Sequence, residues 1–223
     1  MKRFVFLALL VVYFTSCTKS AKTVPTYNLP IPQDAFDFAN FKVGSYWIYQ
    51  DSISHVLDSV YVIDATQGVR SVDGTSAQNN GFGGNFGYFT CDMYSSYEGV
   101  RYWNSVDRES PINQTTTAIV RTKWRLNSQA GQGDYLVIPY PLNKIIYESQ
   151  YLLNDSMVIV RDNASYTLNS TILSNVLEIH HAHNPLCNKL HTKTFVKKGY
   201  GILRREIPDS NRVWNLVRCN LMQ

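Results

Sequence analysis

Three of the five histidines lie in one short segment, Glu178 to His183, and another follows at His191. On a β-strand, His181 and His183 share one face because side chains alternate, whereas Glu178 and His180 share the other face. Two imidazoles at positions i and i+2 can bind one metal ion, with His191 on the next strand as a third ligand. The segment therefore predicts a metal site of His181, His183 and His191, as a metal-assisted hydrolase would need.

The same segment also fits a purely structural interpretation. Leu177 and Ile179 have the same parity as His181, so the histidines would lie where a core-facing strand ends. Asn184 and Pro185 follow, and they are typical of a polar loop. The sequence leaves both interpretations open, and it favours the structural one.

Other patterns of catalysis or cofactor binding are missing from the sequence. It contains no G-x-S-x-G elbow, no H-E-x-x-H helix and no C-x-x-C pair. The glycines between positions 81 and 87 do not follow G-x-G-x-x-G, and no strand-to-helix unit surrounds them. We therefore assign no catalytic residue, expect no cofactor other than the metal ion above, and favour binding over enzymatic activity.

The N-terminus carries the most specific pattern in the chain. Lys2 and Arg3 precede an apolar run from Phe4 to Phe14. This run is too short for a membrane-spanning helix, which needs about 20 residues. Small residues and then Cys17 follow. The segment resembles the signal peptide of bacterial lipoproteins, which is cleaved before a cysteine that carries the lipid.

This resemblance implies that residues 1–16 are a signal peptide and that Cys17 carries a diacylglycerol and a further acyl chain such as palmitate. It places the protein in the cell envelope, on the periplasmic face of the outer membrane. The reason is that Thr18 and Lys19 lack the Asp that retains such lipoproteins in the inner membrane. The alternative is an ordinary secretory signal in which Cys17 has no role.

Composition and patterning predict a single all-β domain over residues 34–223, preceded by an extended tether at residues 17–33. The tether is rich in Lys, Thr and Pro and has no apolar period. Beyond it, about a dozen short aromatic and β-branched runs predict an antiparallel barrel, or a strongly curved sheet or sandwich. At most one or two short helices are expected, the first at residues 34–40 with Asp34 as its N-cap.

Turn sequences divide the C-terminal part into three neighbouring strands, 193–197, 202–207 and 212–221, which predict a meander. The pattern of Gly44 to Tyr49, together with Gly199 to Glu206, resembles a class of bacterial lipoproteins of unknown function. That resemblance supports an all-β fold and an envelope address, and it implies no activity.

Charge limits the range of partners. The formal net charge is +4, and it falls to +2 once Lys2 and Arg3 are removed with the signal peptide. No concentrated basic surface is visible, which argues against nucleic acid as a partner. The cysteines that follow Cys17 are odd in number, and the sequence leaves open whether Cys91, Cys187 and Cys219 form a disulfide.

These observations support three functions. The first is a lipid-anchored, non-catalytic module that binds another envelope protein or supports an assembly. The second is a carrier that holds an apolar small ligand in a cavity of the curved sheet, lined by the many aromatic side chains. The third is the metal-assisted hydrolase described above. The sequence favours the first.

Overall fold

The structure is a computed structural model, and it describes residues 26–72, 83–99, 101–107, 118–125, 132–140, 142, 146–148, 156–181 and 192–222. These residues form an all-β fold, as the sequence predicts. The strands are β1 Thr26–Leu29, β2 Tyr46–Asp51, β3 Leu57–Val72, β4 Gly83–Ser95, β5 Arg101–Asp107, β6 Ala118–Arg125, β7 Gln132–Tyr140, β8 Ile146–Glu148, β9 Ser156–Leu168, β10 Thr171–His181, β11 Thr192–Lys197, β12 Gly201–Ile207 and β13 Arg212–Asn220. One α-helix, α1, spans Gln33–Phe36, and a 3₁₀ turn spans Pro208–Ser210.

All thirteen strands belong to one sheet, in the order β7-β6-β5-β4-β3-β2-β13-β12-β11-β10-β9-β8, with β1 beside β4. Chain neighbours pair in antiparallel fashion along this path, and the predicted meander of β11, β12 and β13 is confirmed. Among the strands of this path, β2 comes first in the chain and β13 comes last, and these two strands pair with each other. Among the described residues no ladder joins β7 to β8, so the sheet is not closed there.

Strand β1 lies inside the segment predicted to be a tether, and it pairs in parallel with Gly83–Phe86 of β4. This pairing is possible because strand β4 is longer than its ladder with β5. On the side of β4 that faces β5, the β4–β5 ladder covers only Tyr88–Tyr94. Residues 83–86 extend beyond this ladder, and β1 supplies their hydrogen-bond partners. The sheet therefore includes residues 26–29, which precede position 34, the predicted start of the all-β domain.

Helix α1 shows that the sheet is strongly curved. Asp34 in the helix forms an ion pair of 2.7 Å with Lys198 in the β11–β12 turn. Phe36 stacks edge-on against Phe89 of β4 at 5.2 Å, and the helix also approaches β6. In a flat sheet, β6 and β11 would lie about 34 Å apart, because seven spacings of about 4.8 Å separate them. A four-residue helix reaches both, so the sheet must curve around it.

The prediction that Asp34 is the N-cap is wrong. The helix starts at Gln33, and Pro32 occupies the N-cap position without a side-chain cap. The carbonyl oxygen of Pro32 accepts the backbone N–H groups of Ala35 and Phe36, both at 3.0 Å. Asp34 therefore lies in the first turn, where its carboxylate is available for the ion pair with Lys198.

The core lies on the concave face of the sheet and around the residues that follow α1. Phe41 is fully buried and stacks edge-on against Trp47 of β2 at 4.8 Å. Both rings lie beside Gly201 at the start of β12, where an added Cβ atom would be 3.5 Å from Phe41 and 3.6 Å from Trp47. The chain between α1 and β2 thus fills one end of the curved sheet. In the described part of the chain, no helix has the length and apolarity that crossing a membrane requires.

Candidate functional site

The concave face of the sheet is apolar at one end and carries buried polar side chains at the other. One end of this face is formed by the β2–β3 turn (52–56), the β4–β5 turn (96–99) and the β12–β13 turn (208–211). We call it the distal end. The opposite end, around α1, is packed with aromatic and aliphatic side chains. Of the seven buried polar side chains in the described residues, six belong to the distal half: Asp51, Asp58, Ser95, His181, Thr192 and Thr194.

Four of the distal side chains follow one another across adjacent strands, and we call them the polar row. Thr194 of β11 lies directly opposite Arg205 of β12. Arg205 lies opposite Trp214 of β13, and Trp214 lies opposite Asp51 of β2. Residues directly opposite in antiparallel strands point to the same face of the sheet. The polar row therefore places a guanidinium group beside an indole ring on the concave face.

The β4–β5 turn is held in place by a buried carboxylate. The Ser95 hydroxyl donates to Oδ1 of Asp58 at 2.8 Å, and the backbone N–H of Tyr97 donates to the same oxygen at 3.1 Å. The backbone N–H of Glu98 in turn donates to the Ser95 hydroxyl at 3.0 Å. These bonds fix the conformation of the turn at the end of β4.

From this position the β4–β5 turn reaches across β3 and β2 to the polar row. Nη2 of Arg205 donates to Oε1 of Glu98 at 3.0 Å. The ring of Tyr97 packs on the ring of Trp214, with centroids 5.1 Å apart. The guanidinium of Arg212 lies over the Tyr97 ring, 5.4 Å from its centroid. The turn thus covers Arg205 and Trp214 with one carboxylate and one aromatic ring.

Asp51, at the end of the polar row, organises the β2–β3 turn. Its Oδ2 accepts the hydroxyl of Ser54 at 2.6 Å, and its Oδ1 accepts the backbone N–H of Val213 at 3.1 Å. Burial by itself would raise the pKa of Asp51. The hydrogen bonds from Ser54, Val213 and the backbone of Ile53 outweigh that effect, and they hold the pKa below its usual value of 3.8.

The histidines are only partly described. His181 is buried on the concave face together with Leu177 and Ile179, as its parity predicts. His180 points to the opposite face, where its Nε2 lies 2.8 Å from Oε1 of Glu178. His183 and His191 lie outside the described residues. Within the described ranges no group of three or more His, Cys, Asp or Glu residues forms a potential metal site, and the predicted site at His181, His183 and His191 stays a prediction.

The cysteines, like the histidines, are only partly described, since Cys17 and Cys187 lie outside the described residues. Cys91 and Cys219 are both free thiols. Burial raises the pKa of Cys91 to about 12, and the nearby carboxylates of Asp92 and Asp64 add to the effect. A thiol with such a pKa stays protonated and is a poor nucleophile at neutral pH. Cys91 therefore acts as a core residue.

Comparison of the chain with models of protein families, with curated proteins and with solved structures finds no match. Function must therefore be inferred from the geometry of the distal end.

The sequence contains one signal that would have pointed to the polar row. Arg205 has the same parity as Leu203 and Ile207, which are both buried, so alternation places a charged side chain on the core face of β12. Its partner Glu98 lies 107 positions earlier in the chain. No local pattern links two residues that far apart.

Proposed function

We propose that this protein is a lipid-anchored β-domain of the cell envelope that acts by binding a second envelope protein, without catalysis. The anchor is the lipid on Cys17, and the address is the periplasmic face of the outer membrane. The observation that carries the binding function is an apolar surface at the β2–β3 turn. Ile53 and Leu57 are 54% and 55% exposed there, and Val56 lies between them with 37% exposure.

Along the chain, the apolar side chains of this surface are not interrupted by an acidic residue, lysine or arginine. From Ser52 to Leu57 the chain carries no Asp, Glu, Lys or Arg. Exposed apolar side chains that cluster without charges mark sites where proteins associate.

The turn is also rigid, which favours specific binding. Asp51 holds the turn through its backbone as well as its side chain. The backbone N–H of Asp51 donates to the carbonyl of Val56 at 3.0 Å. The N–H of His55 donates to the carbonyl of Asp51 at 2.9 Å, and His55 has a positive φ of 57°. A turn fixed in this way loses little conformational entropy when a partner binds.

The position of the turn supports a protein partner over the anchoring membrane. Thr26, the first described residue, pairs with Gly83, beside the Val72 end of β3. The β2–β3 turn lies at the Leu57 end of the same 16-residue strand. At about 3.3 Å per residue, roughly 50 Å of strand separates the two ends. Thr26 and the apolar turn thus lie at opposite ends of the sheet.

Site-specific photo-cross-linking in intact envelopes tests this proposal. We expect a benzoyl-phenylalanine at position 53 to give a discrete protein adduct. The same probe at Val69, which is 64% exposed near the tether end of β3, is expected to give none. Leu57→Ser should reduce the adduct at position 53 at least about fivefold, since it removes an apolar contact. Equal adducts at both positions, or adducts with lipid alone, would contradict the proposal.

The stability of the turn should depend on pH through Asp51. A carboxyl group whose pKa is lowered by folding contributes stability above its unfolded pKa, and this contribution is lost as the pH falls through the folded pKa. Asp51→Asn removes the titrating group, so we expect the variant to be less stable than the wild type at pH 7. Hydrogen bonds to a charged group suggest a difference of about 1.5–3 kcal/mol.

Urea unfolding at several pH values measures this effect. We expect the gap in unfolding free energy between wild type and Asp51→Asn to be largest near pH 7 and to narrow below 3.8. A gap that stays constant down to about pH 2.5 would show that the carboxylate charge of Asp51 has no role in stabilising the turn.

A second candidate function is the carrier of an apolar small ligand. It is supported by the curvature of the sheet, which brings β6 and the β11–β12 turn to the same short helix. We infer a barrel whose remaining gap lies between β7 and β8, with an apolar interior at the α1 end. Native mass spectrometry of the gently purified protein separates the two candidates. A reproducible organic adduct is expected of a carrier, and a bare protein mass is expected of the binding module.

A further inference from the structure

One hydrogen-bond donor in the polar row has no acceptor among the described residues. Trp214 is 3% exposed, and within the described part of the chain its Nε1–H has no hydrogen-bond partner. Trp47, by contrast, donates its Nε1–H to the carbonyl of Tyr200 at 2.6 Å. A buried donor without an acceptor destabilises the fold, because it has lost its hydrogen bonds to water. Binding of a ligand with a suitable acceptor would remove this destabilisation.

Of the two residues that flank Trp214 in the polar row, Arg205 favours an anion as that acceptor, whereas the carboxylate of Asp51 is already bonded to Ser54 and Val213. Arg205 lies directly opposite Trp214, so their Cβ atoms are about 4.5–5.5 Å apart. Thr194 lies on the other side of Arg205 in the polar row. A guanidinium group matches the planar geometry of a carboxylate and binds it with two parallel hydrogen bonds. The polar row therefore places the charged guanidinium of Arg205 and the neutral indole N–H donor of Trp214 on one face of the sheet.

The β4–β5 turn shows which chemical groups this surface accepts. Its two neighbouring side chains place an aromatic ring on Trp214 and a carboxylate on Arg205, through Tyr97 and Glu98. A small molecule that joins an aromatic ring to a carboxylate reproduces both contacts. Because its carboxylate is not attached to the β4–β5 turn, one oxygen can contact Arg205 while the other accepts the indole N–H.

We propose that the polar row is a binding site for a small aromatic carboxylate, which replaces Glu98 on Arg205 and accepts the Nε1–H of Trp214. The side chains of Tyr97 and Glu98 swing away to admit the ligand, while the backbone of the β4–β5 turn stays bonded to Asp58 and Ser95, and the Glu98 carboxylate competes with the ligand. The ligand contacts Arg205 and Trp214 and none of the exposed apolar side chains of the β2–β3 turn, although Asp51 belongs to the polar row and also fixes that turn.

The indole N–H resonance of Trp214 gives a direct test. The full-length protein, labelled with nitrogen-15 and held in micelles of a neutral maltoside detergent, is titrated with benzoate. Trp214→Phe identifies the resonance by its disappearance. We expect benzoate to shift this resonance in a saturable manner in the millimolar range, since few contacts hold so small a ligand. The neutral analogue benzamide is expected to leave it unchanged.

Two charge-neutralising variants test the role of the β4–β5 turn. Glu98→Gln removes the competing charge, and we expect the benzoate Kd to fall about tenfold. Glu206→Gln is the matched control, because Glu206 lies in the same strand as Arg205 but pairs with Lys193 and Arg204 on the convex face. It should leave the Kd unchanged.

Two results would overturn the site itself. One is a Trp214 resonance that does not move in Glu98→Gln at about 20 mM benzoate, well above the expected Kd. The other is an equal shift with benzamide. Equal benzoate affinity in the wild type and in Glu98→Gln would overturn the claim that the ligand replaces the Glu98 carboxylate.

Discussion

Replacing Cys17 with serine should release the protein from the membrane. Without a thiol at this position no diacylglycerol can be attached, and the apolar run of residues 4–14 is too short to span a bilayer. Each buried methylene contributes about 0.8 kcal/mol, so the loss of two or more acyl chains removes the whole anchor. We expect the membrane-bound fraction to fall at least about tenfold. Radiolabelled palmitate incorporation and membrane fractionation measure this.

The control for this experiment is a second Cys→Ser change. Cys219 is a free, partly buried thiol in β13, and Cys219→Ser should leave both the label and the membrane fraction unchanged. If Cys17→Ser still incorporated palmitate, or if it stayed with the membrane, the proposed lipoprotein anchor would be wrong. Release of the wild type by mild washing would contradict it as well.

Truncation of Phe41 should cause the largest loss of stability among single substitutions near α1. The side chain is 1% exposed, stacks on Trp47 and lies 3.5 Å from the position that a Cβ atom at residue 201 would occupy. It therefore joins the segment after α1 to β2 and β12. Phe→Ala in a packed core costs about 3–5 kcal/mol, from lost transfer energy and the cavity left behind. We expect Phe41→Ala to lower the unfolding free energy by that amount in urea titrations.

A neighbouring residue provides the comparison. Val43 lies two positions later and is well exposed, so Val43→Ala should change stability by less than about 0.5 kcal/mol. A loss below about 1 kcal/mol for Phe41→Ala would show that the segment between α1 and β2 contributes little to the core. In that case the contacts of Phe41 would be peripheral to the fold.

The two proposed binding surfaces have a common structural origin. The β2–β3 turn is fixed by Asp51, and the β4–β5 turn is fixed by Asp58, both of them buried carboxylates at the distal end. Each carboxylate accepts hydrogen bonds from a serine hydroxyl and from backbone N–H groups. The polar distal end thus positions one turn to expose apolar side chains and the other to cover the polar row.

Strand patterning was the most predictable part of the structure. The period of two and the intervening turn residues located β11, β12 and β13 and assigned their order. Parity correctly placed His181 on the core face and put Glu178 with His180 on the other face. These features follow from the geometry of a single strand and from neighbouring turns, so local sequence is sufficient to determine them.

Features that depend on distant segments were missed. Thr26–Leu29 has no strand pattern of its own, and it became β1 because β4 extends beyond its ladder with β5. Asp34 was assigned as an N-cap, but the helix begins one residue earlier and Lys198 takes the carboxylate. In both cases the partner lies more than 50 residues away in the chain.

By itself, the sequence determined an all-β fold, the faces of its clearest strands, and the pattern from which the lipid anchor is predicted. Only the tertiary structure decided that β2 pairs with β13 and that the sheet curves around α1. The same is true of the contact between Glu98 and Arg205. Alternation fixes which way a side chain points, because it is a property of one strand. Which side chain it meets depends on how the whole sheet curves, and no local pattern encodes that.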